Sequence, residues 1–315
     1  MATITKAELE KAVATYVDAS KIANATFTAS KDDFTACINK IGDMVTLYLP
    51  LQDKLGELQG NNLPNGQIIE EYMVDEFLPS DGTPQGEGSY TKPAHPTFSE
   101  AAYSYSLADK TFGRSIPNSK FQAASIDAAS YAGLISSSIA TVDSSYNAWT
   151  YAVKRELLGK FAAAAITAGK TEVVGDPASW TETETEDFIL KVLCKVEDAS
   201  DMNDDNINGR SVAGAPSLKL YVSHKVMPTV KVKALAGAIN KEELAIPAEV
   251  KTILDFGADG DNIVAILVDP RGVKVRDCIN EFEAVNLDFQ TNMKRHIKQT
   301  CYYSKYGFIH VFTKA

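Results

Sequence analysis

Apolar residues between Asn118 and Gly169 recur at steps of three and four: Phe121, Ala124, Ala128, Tyr131, Ile135, Ile139, Val142, Tyr146, Trp149, Val153, Leu157 and Phe161. That spacing is the stripe of an α-helix, not the alternation of a strand. It predicts a rod which, if continuous, is about 75 Å long at roughly 1.5 Å per residue. The segment has no proline, and between Phe121 and Val153 its only charges are Asp127 and Asp143. Opposite the stripe stand Ala and Ser, whereas a free-standing surface helix carries many more charges, so the rod is expected to be covered. A coiled coil lacks support, because the flanking positions hold Ser and Ala in place of Glu and Lys. Gly133, Gly159 and Asp143-Ser144-Ser145 are the expected bending points.

Before the rod the period changes to two. Tyr72, Val74 and Glu76 alternate with Met73, Asp75 and Phe77, and Ala101, Tyr103, Tyr105 and Leu107 alternate with Ala102, Ser104 and Ser106. Two strands of a hairpin running from Ile68 to Arg114 follow. Its tip, Pro79 to Gly88 with Pro93 and Pro96 beyond, cannot build a core, and an insertion this long in a compact domain is usually functional or mobile. Rings with polar tips suit interfaces. Tyr72, Phe77, Tyr90, Phe98, Tyr103 and Tyr105 are therefore the expected inter-subunit contacts, the bland alternative being a floppy surface hairpin.

Flanking patterns complete the chain. Thr5 with Glu8 resembles a capping box opening a helix through about Ser20, and Phe34, Cys37, Ile38, Ile41 and Val45 form a second helical stripe. Past Thr171, the acidic turn Thr181-Glu182-Thr183-Glu184 predicts a helix N-terminus within Trp180 to Val196. An acidic loop, Glu197 to Gly209, leads to strands at Leu218–Val222, Lys251–Phe256 and Ile263–Val268, with a helix near Lys225 to Gly237. The run Ile263–Val268 is apolar at both parities and predicts a central strand. Asp269-Pro270-Arg271-Gly272 is a turn into Val273–Val275. Asn286 to Phe312 predicts long strands, with Met293, Arg295, Ile297, Gln299, Cys301 and Tyr303 on one face, returning to pack against the rod.

With 315 residues and 45% hydrophobic content, the chain can bury a substantial core, expected as two lobes. No run of about 18 apolar residues suggests a membrane span. The start lacks a basic and an apolar region, so a signal peptide is not expected, and residence in a reducing cytoplasm is. Cys37, Cys194, Cys278 and Cys301 are far apart, without a Cys-x-x-Cys pair, and are expected to be small buried hydrophobes. A net charge of −10 argues against a general nucleic-acid binder, because phosphates require an excess of Lys and Arg. The local basic runs, Lys225/Lys231/Lys233 and Lys294-Arg295-His296-Ile297-Lys298, are expected to be solvated surface, with contact to acidic neighbours or packaged nucleic acid as the alternative.

Candidate chemistry is sparse. Asp201 to Gly209 alternates oxygen ligands as a calcium loop does, but Asn206 replaces the required Gly and Val212 the bidentate Glu, so an acidic solvated loop is expected. Asp255-Phe256-Gly257 copies a kinase triplet without its companions. His95, His224, His296 and His310 are scattered without a triad pattern, and no Gly-x-Gly-x-x-Gly follows a strand. No catalytic, cofactor or metal residue is expected.

The order of parts, with Ile68-Ile-Glu-Glu-Tyr-Met-Val-Asp-Glu-Phe77, Tyr103-Ser-Tyr-Ser-Leu107 and Cys301-Tyr-Tyr-Ser-Lys-Tyr-Gly-Phe-Ile-His-Val-Phe312, resembles the major capsid proteins of tailed bacteriophages with the HK97 fold. The resemblance implies an α+β fold: an N-terminal arm (1–67), an extended hairpin or E-loop (68–116), a P-domain with the spine helix (117–181 and 286–315) and a mixed α/β A-domain (182–285). It implies a structural protein, not an enzyme, assembling as pentamers and hexamers into an icosahedral head around double-stranded DNA that it does not read by sequence. Scaffolding, portal and decoration proteins would be its partners, the host cytoplasm its place of assembly, the virion its destination, and no membrane would be involved. No residue here matches the Lys–Asn crosslink of some relatives. An encapsulin-type nanocompartment shell, or a tail-tube or surface-layer protein, is the rival expectation.

Overall fold

The computed structural model describes residues 53–64, 67, 69–74, 98–103, 108–117, 128–212, 214, 217–224, 226, 248–258, 260–287 and 290–314. The expected helices at Thr5–Ser20, Phe34–Val45 and Lys225–Gly237, the hairpin tip and the rod before Ala128 lie outside the described residues. So do Cys37, His95, Lys225, Lys231 and Lys233.

The helical stripe folds as one unbroken helix, α1, Ala128–Thr167, of 40 residues, about 60 Å long at 1.5 Å per residue. Neither Gly133, Gly159 nor Asp143-Ser144-Ser145 interrupts it. Gly159 serves close approach instead: a Cβ there would stand 1.9 Å from the Phe256 carbonyl oxygen. A second helix, α2, spans Glu182–Ser200 and opens at the expected acidic turn, which proves to be a capping box, with Thr181 Oγ1 accepting from the Glu184 amide at 3.3 Å and Glu184 Oε2 accepting from the Thr181 amide at 2.6 Å.

The ten strands described are β1 Ile69–Val74, β2 Phe98–Tyr103, β3 Ala108–Pro117, β4 Thr171–Val173, β5 Lys219–Ser223, β6 Glu249–Ile253, β7 Ile263–Val268, β8 Val273–Leu287, β9 Gln290–Tyr303 and β10 Ile309–Thr313. They form a two-stranded ribbon β1-β2, a three-stranded antiparallel sheet β3-β9-β8 and a five-stranded mixed sheet β4-β10-β7-β5-β6. Sequence pattern and structure differ at several places; β6, for one, is Glu249–Ile253 where Lys251–Phe256 is expected. The described part of the hairpin's return strand is Phe98–Tyr103, starting before the expected Ala101, and β3 pairs not with it but with β9, from Ala108↔Gln299 to Pro117↔Gln290. β3 leaves the ribbon because Phe112 and Ile116 give it an inward side that α1 covers. β8 extends far past Val275 and pairs with β9 across residues 285 and 286; Glu281 and Glu283, exposed on its outer side, masked its alternation. β10 lies inside the five-stranded sheet, between β4 and β7.

Both faces of the five-stranded sheet are covered, which is why β7 is apolar at every position. On one face Tyr221, Ile266, Val268, Ile309 and Val311 pack with Leu157, Leu158, Phe161 and Ala165 of α1. On the other, Leu220, Val222, Val264, Leu267 and Phe312 pack with Phe188, Ile189 and Val192 of α2. Each such fully buried side chain contributes about 1.5–3 kcal/mol. Among the described residues no helix is long and apolar enough to cross a membrane.

Candidate assembly interface

The ribbon β1-β2 pairs with no third strand among the described residues. Of the expected contact residues, Tyr72 stands opposite Glu100, Phe98 opposite Val74 and Tyr103 opposite Ile69; Phe77, Tyr90 and Tyr105 lie outside the described residues. An isolated two-stranded ribbon is marginally stable in water. Its root is pinned to the turn between β9 and β10, where Ser304 Oγ donates to Glu71 Oε1. That hydroxyl also accepts from the amides of Tyr306 at 3.0 Å and Gly307 at 2.8 Å. A cavity of about 340 Å³ opens there, lined by Glu71, Arg271, Tyr302, Ser304, Tyr306 and Phe308 among others.

The seam between α1 and the three-stranded sheet is polar where the helical stripe predicts an apolar contact. Arg295, expected on solvated surface, is 3% exposed and pairs with Asp143, 2% exposed. Its Nε donates to Asn280 Oδ1 at 3.0 Å and its guanidinium lies 4.3 Å from the Tyr146 ring centroid. The reason is register: Arg295 falls in the same parity as Met293 and Ile297, which alternation itself places inside, and α1 supplies a carboxylate there. The Tyr146 hydroxyl donates to Asp277 Oδ2 at 3.0 Å, and Gln299 Nε2 donates to Asp277 Oδ1 at 2.7 Å and Thr150 Oγ1 at 3.3 Å. Burial, reinforced by the Asp277 charge, pushes the Tyr146 phenol well above its ordinary pKa. Burial likewise lifts the Asp143 carboxyl to about 6, against the pull of Arg295.

Among the described residues nothing covers the outer side of α1. Ser137, Thr141 and Ser145 are exposed, and the hydroxyls of Thr141 and Ser145 bond the carbonyls of Ser137 and Thr141 at 2.7 and 3.0 Å. The cover expected from the small-residue composition does not come from the subunit's own described residues. Trp149 is half-buried, edge-to-face with Phe112 at 5.7 Å.

Sequence patterning missed the strap formed by residues 53–64. Leu55 and Leu58 are fully buried beneath α1. Asp53 meets Lys154, which is 1% exposed. The Glu57 carboxylate accepts from Tyr221 at 2.9 Å and Lys251 at 2.8 Å, and its carbonyl from Lys274 at 2.6 Å. Burial alone would raise the Glu57 carboxyl; the donors outweigh it and hold it below the ordinary range. Gly60 and Leu63 amides then bond the carbonyls of Val275 and Asp277 at 2.8 and 2.9 Å. The strap thus ties α1, the five-stranded sheet and β8 together.

The acidic stretch is largely solvated, with Asp198, Asp201 and Asp204 exposed, its first residues closing α2, but Asp205 and Asn206 are buried, with Asp205 near Lys195 at 3.3 Å and His310 at 3.4 Å. No group of side chains among the described residues is arranged to hold a metal ion. Cys194 is exposed, contrary to expectation, while Cys278 and Cys301 are partly buried. Val173, Leu190, Met202 and Leu254 are exposed large hydrophobics.

Comparison with known proteins matches residues 2–313 to the model of the Phi29-like phage major capsid protein family. Among solved structures, one similar chain comes from the capsid of Staphylococcus phage Andhra, with TM-score 0.67, 10% identity and coverage of 84% of this chain and 85% of that one. Another comes from a structure of the head fiber and inner core protein gp22 of native bacteriophage P68, at 0.59, 12%, 84% and 85%. A third comes from the capsid of the cyanophage P-SCSP1u, at 0.55, 10%, 82% and 86%. No curated protein matches in sequence. The α+β arrangement is the HK97-type capsid fold.

Proposed function

The chain belongs to the Phi29-like phage major capsid protein family, and we propose from that premise that it builds an icosahedral head around double-stranded DNA, with the ribbon as its principal reach to a neighbour. It is a structural capsid protein of the virion, and its shell is homo-oligomeric. An encapsulin-type shell is not favoured.

In this proposal pentamers and hexamers close the shell by heterologous contacts repeated around rings. The E-loop is the hairpin beginning at Ile68. The P-domain, expected at 117–181 and 286–315, takes in β3 and β8 as well because both pair with β9, and the A-domain, expected at 182–285, takes in β4 and β10 because both belong to the five-stranded sheet. Tyr72, Phe77, Tyr90, Phe98, Tyr103 and Tyr105 contact the adjoining subunit. Assembly takes place in the host cytoplasm with scaffolding, portal and decoration proteins as partners. The net charge of −10 lets the shell hold DNA without gripping it.

One observation carries the proposal: a two-stranded ribbon without a third strand among the described residues, rooted on the body at Glu71–Ser304. Such a ribbon gains stability by lying on another surface. Deleting Pro79 to Pro96 tests it. The subunit should fold and fail to assemble; normal shells from the deletion variant would remove the ribbon's role.

A further inference from the structure

The register of the ribbon tells its two faces apart. Residues opposite one another in an antiparallel pair share a face, so Glu70, Tyr72 and Val74 lie together with Ala102, Glu100 and Phe98. The other face, which carries Glu71, is the one turned to the body. Glu71 accepts from Ser304 of the β9–β10 turn, and Ile69 and Glu71 are half-buried while Glu70 between them is exposed. The face of Tyr72 and Phe98 is thus turned away from the body on which the ribbon is rooted.

That outward face combines apolar residues with a single sign of charge. Glu70 and Glu100 are diagonal neighbours across the ribbon, about 7–8 Å apart, and no Lys or Arg stands among the six residues of the face. Carboxylates this close repel each other, and a cation brought between them relieves the repulsion. The surface that suits the face is therefore basic, with room for rings.

Every copy of the chain carries such a surface. β3 is an edge strand among the described residues, paired with β9 alone. Lys110 and Arg114 share the parity of Phe112 and Ile116, the side of β3 that meets α1. Lys110 is exposed, and Arg114 reaches the Thr141 hydroxyl at 2.8 Å. On that side of α1 Ser137, Thr141, Ser145 and Ala148 are exposed and uncharged. The one acid of β3, Asp109, has the opposite parity and pairs with His296 at 2.8 Å. From Ser137 to Ala148 the helix runs about 17 Å, close to the length of about 20 Å that six residues give β1.

We propose that the ribbon face of Glu70, Tyr72, Val74, Phe98 and Glu100 docks on a second copy of this chain, along β3 and the outer side of α1, with Glu70 and Glu100 meeting Lys110 and Arg114. The inference rests on the reading of the ribbon as an inter-subunit arm, and adds which face is used and where it lands. Ribbon face and basic strip are different surfaces, so the contact is heterologous and repeats around a ring.

Charge reversal in the full-length chain tests the docking. Glu70→Lys/Glu100→Lys should melt like the parent when unassembled and lose closed particles in electron microscopy, because like charges set against each other across an interface oppose association. Lys110→Glu/Arg114→Glu should do the same, and the variant carrying all four reversals should regain the particles. Normal shells from either double variant, or no recovery in a fourfold variant that melts like the parent, overturns the proposal. So does a lowered melt of unassembled Glu70→Lys/Glu100→Lys, which would put the chain's own residues on the face, or its loss of scaffold-protein binding, which would put the scaffold there. Where the reversed chains do not fold, amine labelling of the parent read by mass spectrometry decides. Lys110 should label in the unassembled chain and be protected in shells; equal labelling in both overturns the proposal. The deletion of Pro79 to Pro96 keeps the two readings apart: if it blocks assembly while Glu70→Lys/Glu100→Lys builds normal shells, the ribbon still reaches a neighbour and only this docking falls.

Discussion

Lys154 of α1 ends on the carboxylate of Asp53, 101 residues earlier in the chain, and is 1% exposed. A buried ammonium left without its partner is more costly than the pair is stabilising. Asp53→Ala should therefore destabilise the subunit by about 3 kcal/mol, while the double variant Asp53→Leu/Lys154→Met should recover most of that loss. Denaturant melts of the two variants distinguish a strap that is part of the core from one that merely lies on it.

Gly159 and Gly133 sit on the same helix in opposite environments. A Cβ at Gly159 would collide with the Phe256 carbonyl, whereas at Gly133 nothing lies within 4 Å. Gly159→Ala should cost about 1–3 kcal/mol through overpacking, and Gly133→Ala should add about 0.5–1 kcal/mol through helix propensity. Thermal melts showing the same sign for both would contradict the close approach of α1 to the 255–260 loop.

The outer side of α1 separates folding from assembly. Ser137→Arg should leave subunit stability within about 0.5 kcal/mol, as for most exposed sites, because Ser137 is exposed. Trp149→Ala should cost about 2–3 kcal/mol, below the range for a fully buried ring, because the indole is half-buried against Phe112. Circular dichroism melts check both values.

Glu57 should set part of the acid limb of stability. Its carboxyl is held below the ordinary value of 4.5, so its contribution is present above that pH and is lost as pH falls through the folded value. Glu57→Gln should be less stable than the parent at pH 7, with the difference shrinking below pH 4.5.

The parts legible in the sequence were those with a sustained period. Steps of three and four revealed α1, Thr181 with Glu184 fixed the start of α2, and the all-apolar run Ile263–Val268 gave β7 its place at the centre of a sheet. The alternation Met293 to Tyr303 correctly grouped the inward face of β9, but the charge of Arg295 concealed that it shares that burial. The strap was illegible because Asp53, Glu57 and Gly60 act singly, through one carboxylate, one carbonyl and one amide, and no period links them. β3 was assigned to the hairpin because local alternation cannot say which strand, β2 or a partner some 180 residues away, receives its hydrogen bonds. The contact residues on the ribbon rest on composition alone, since their partners would belong to another subunit.

Electron microscopy of the purified full-length chain, with and without a scaffold protein and across a range of salt, tests the central claim most directly. Closed, hollow, roughly isometric particles are the predicted result; a strictly monomeric species at micromolar concentration under all those conditions would contradict it.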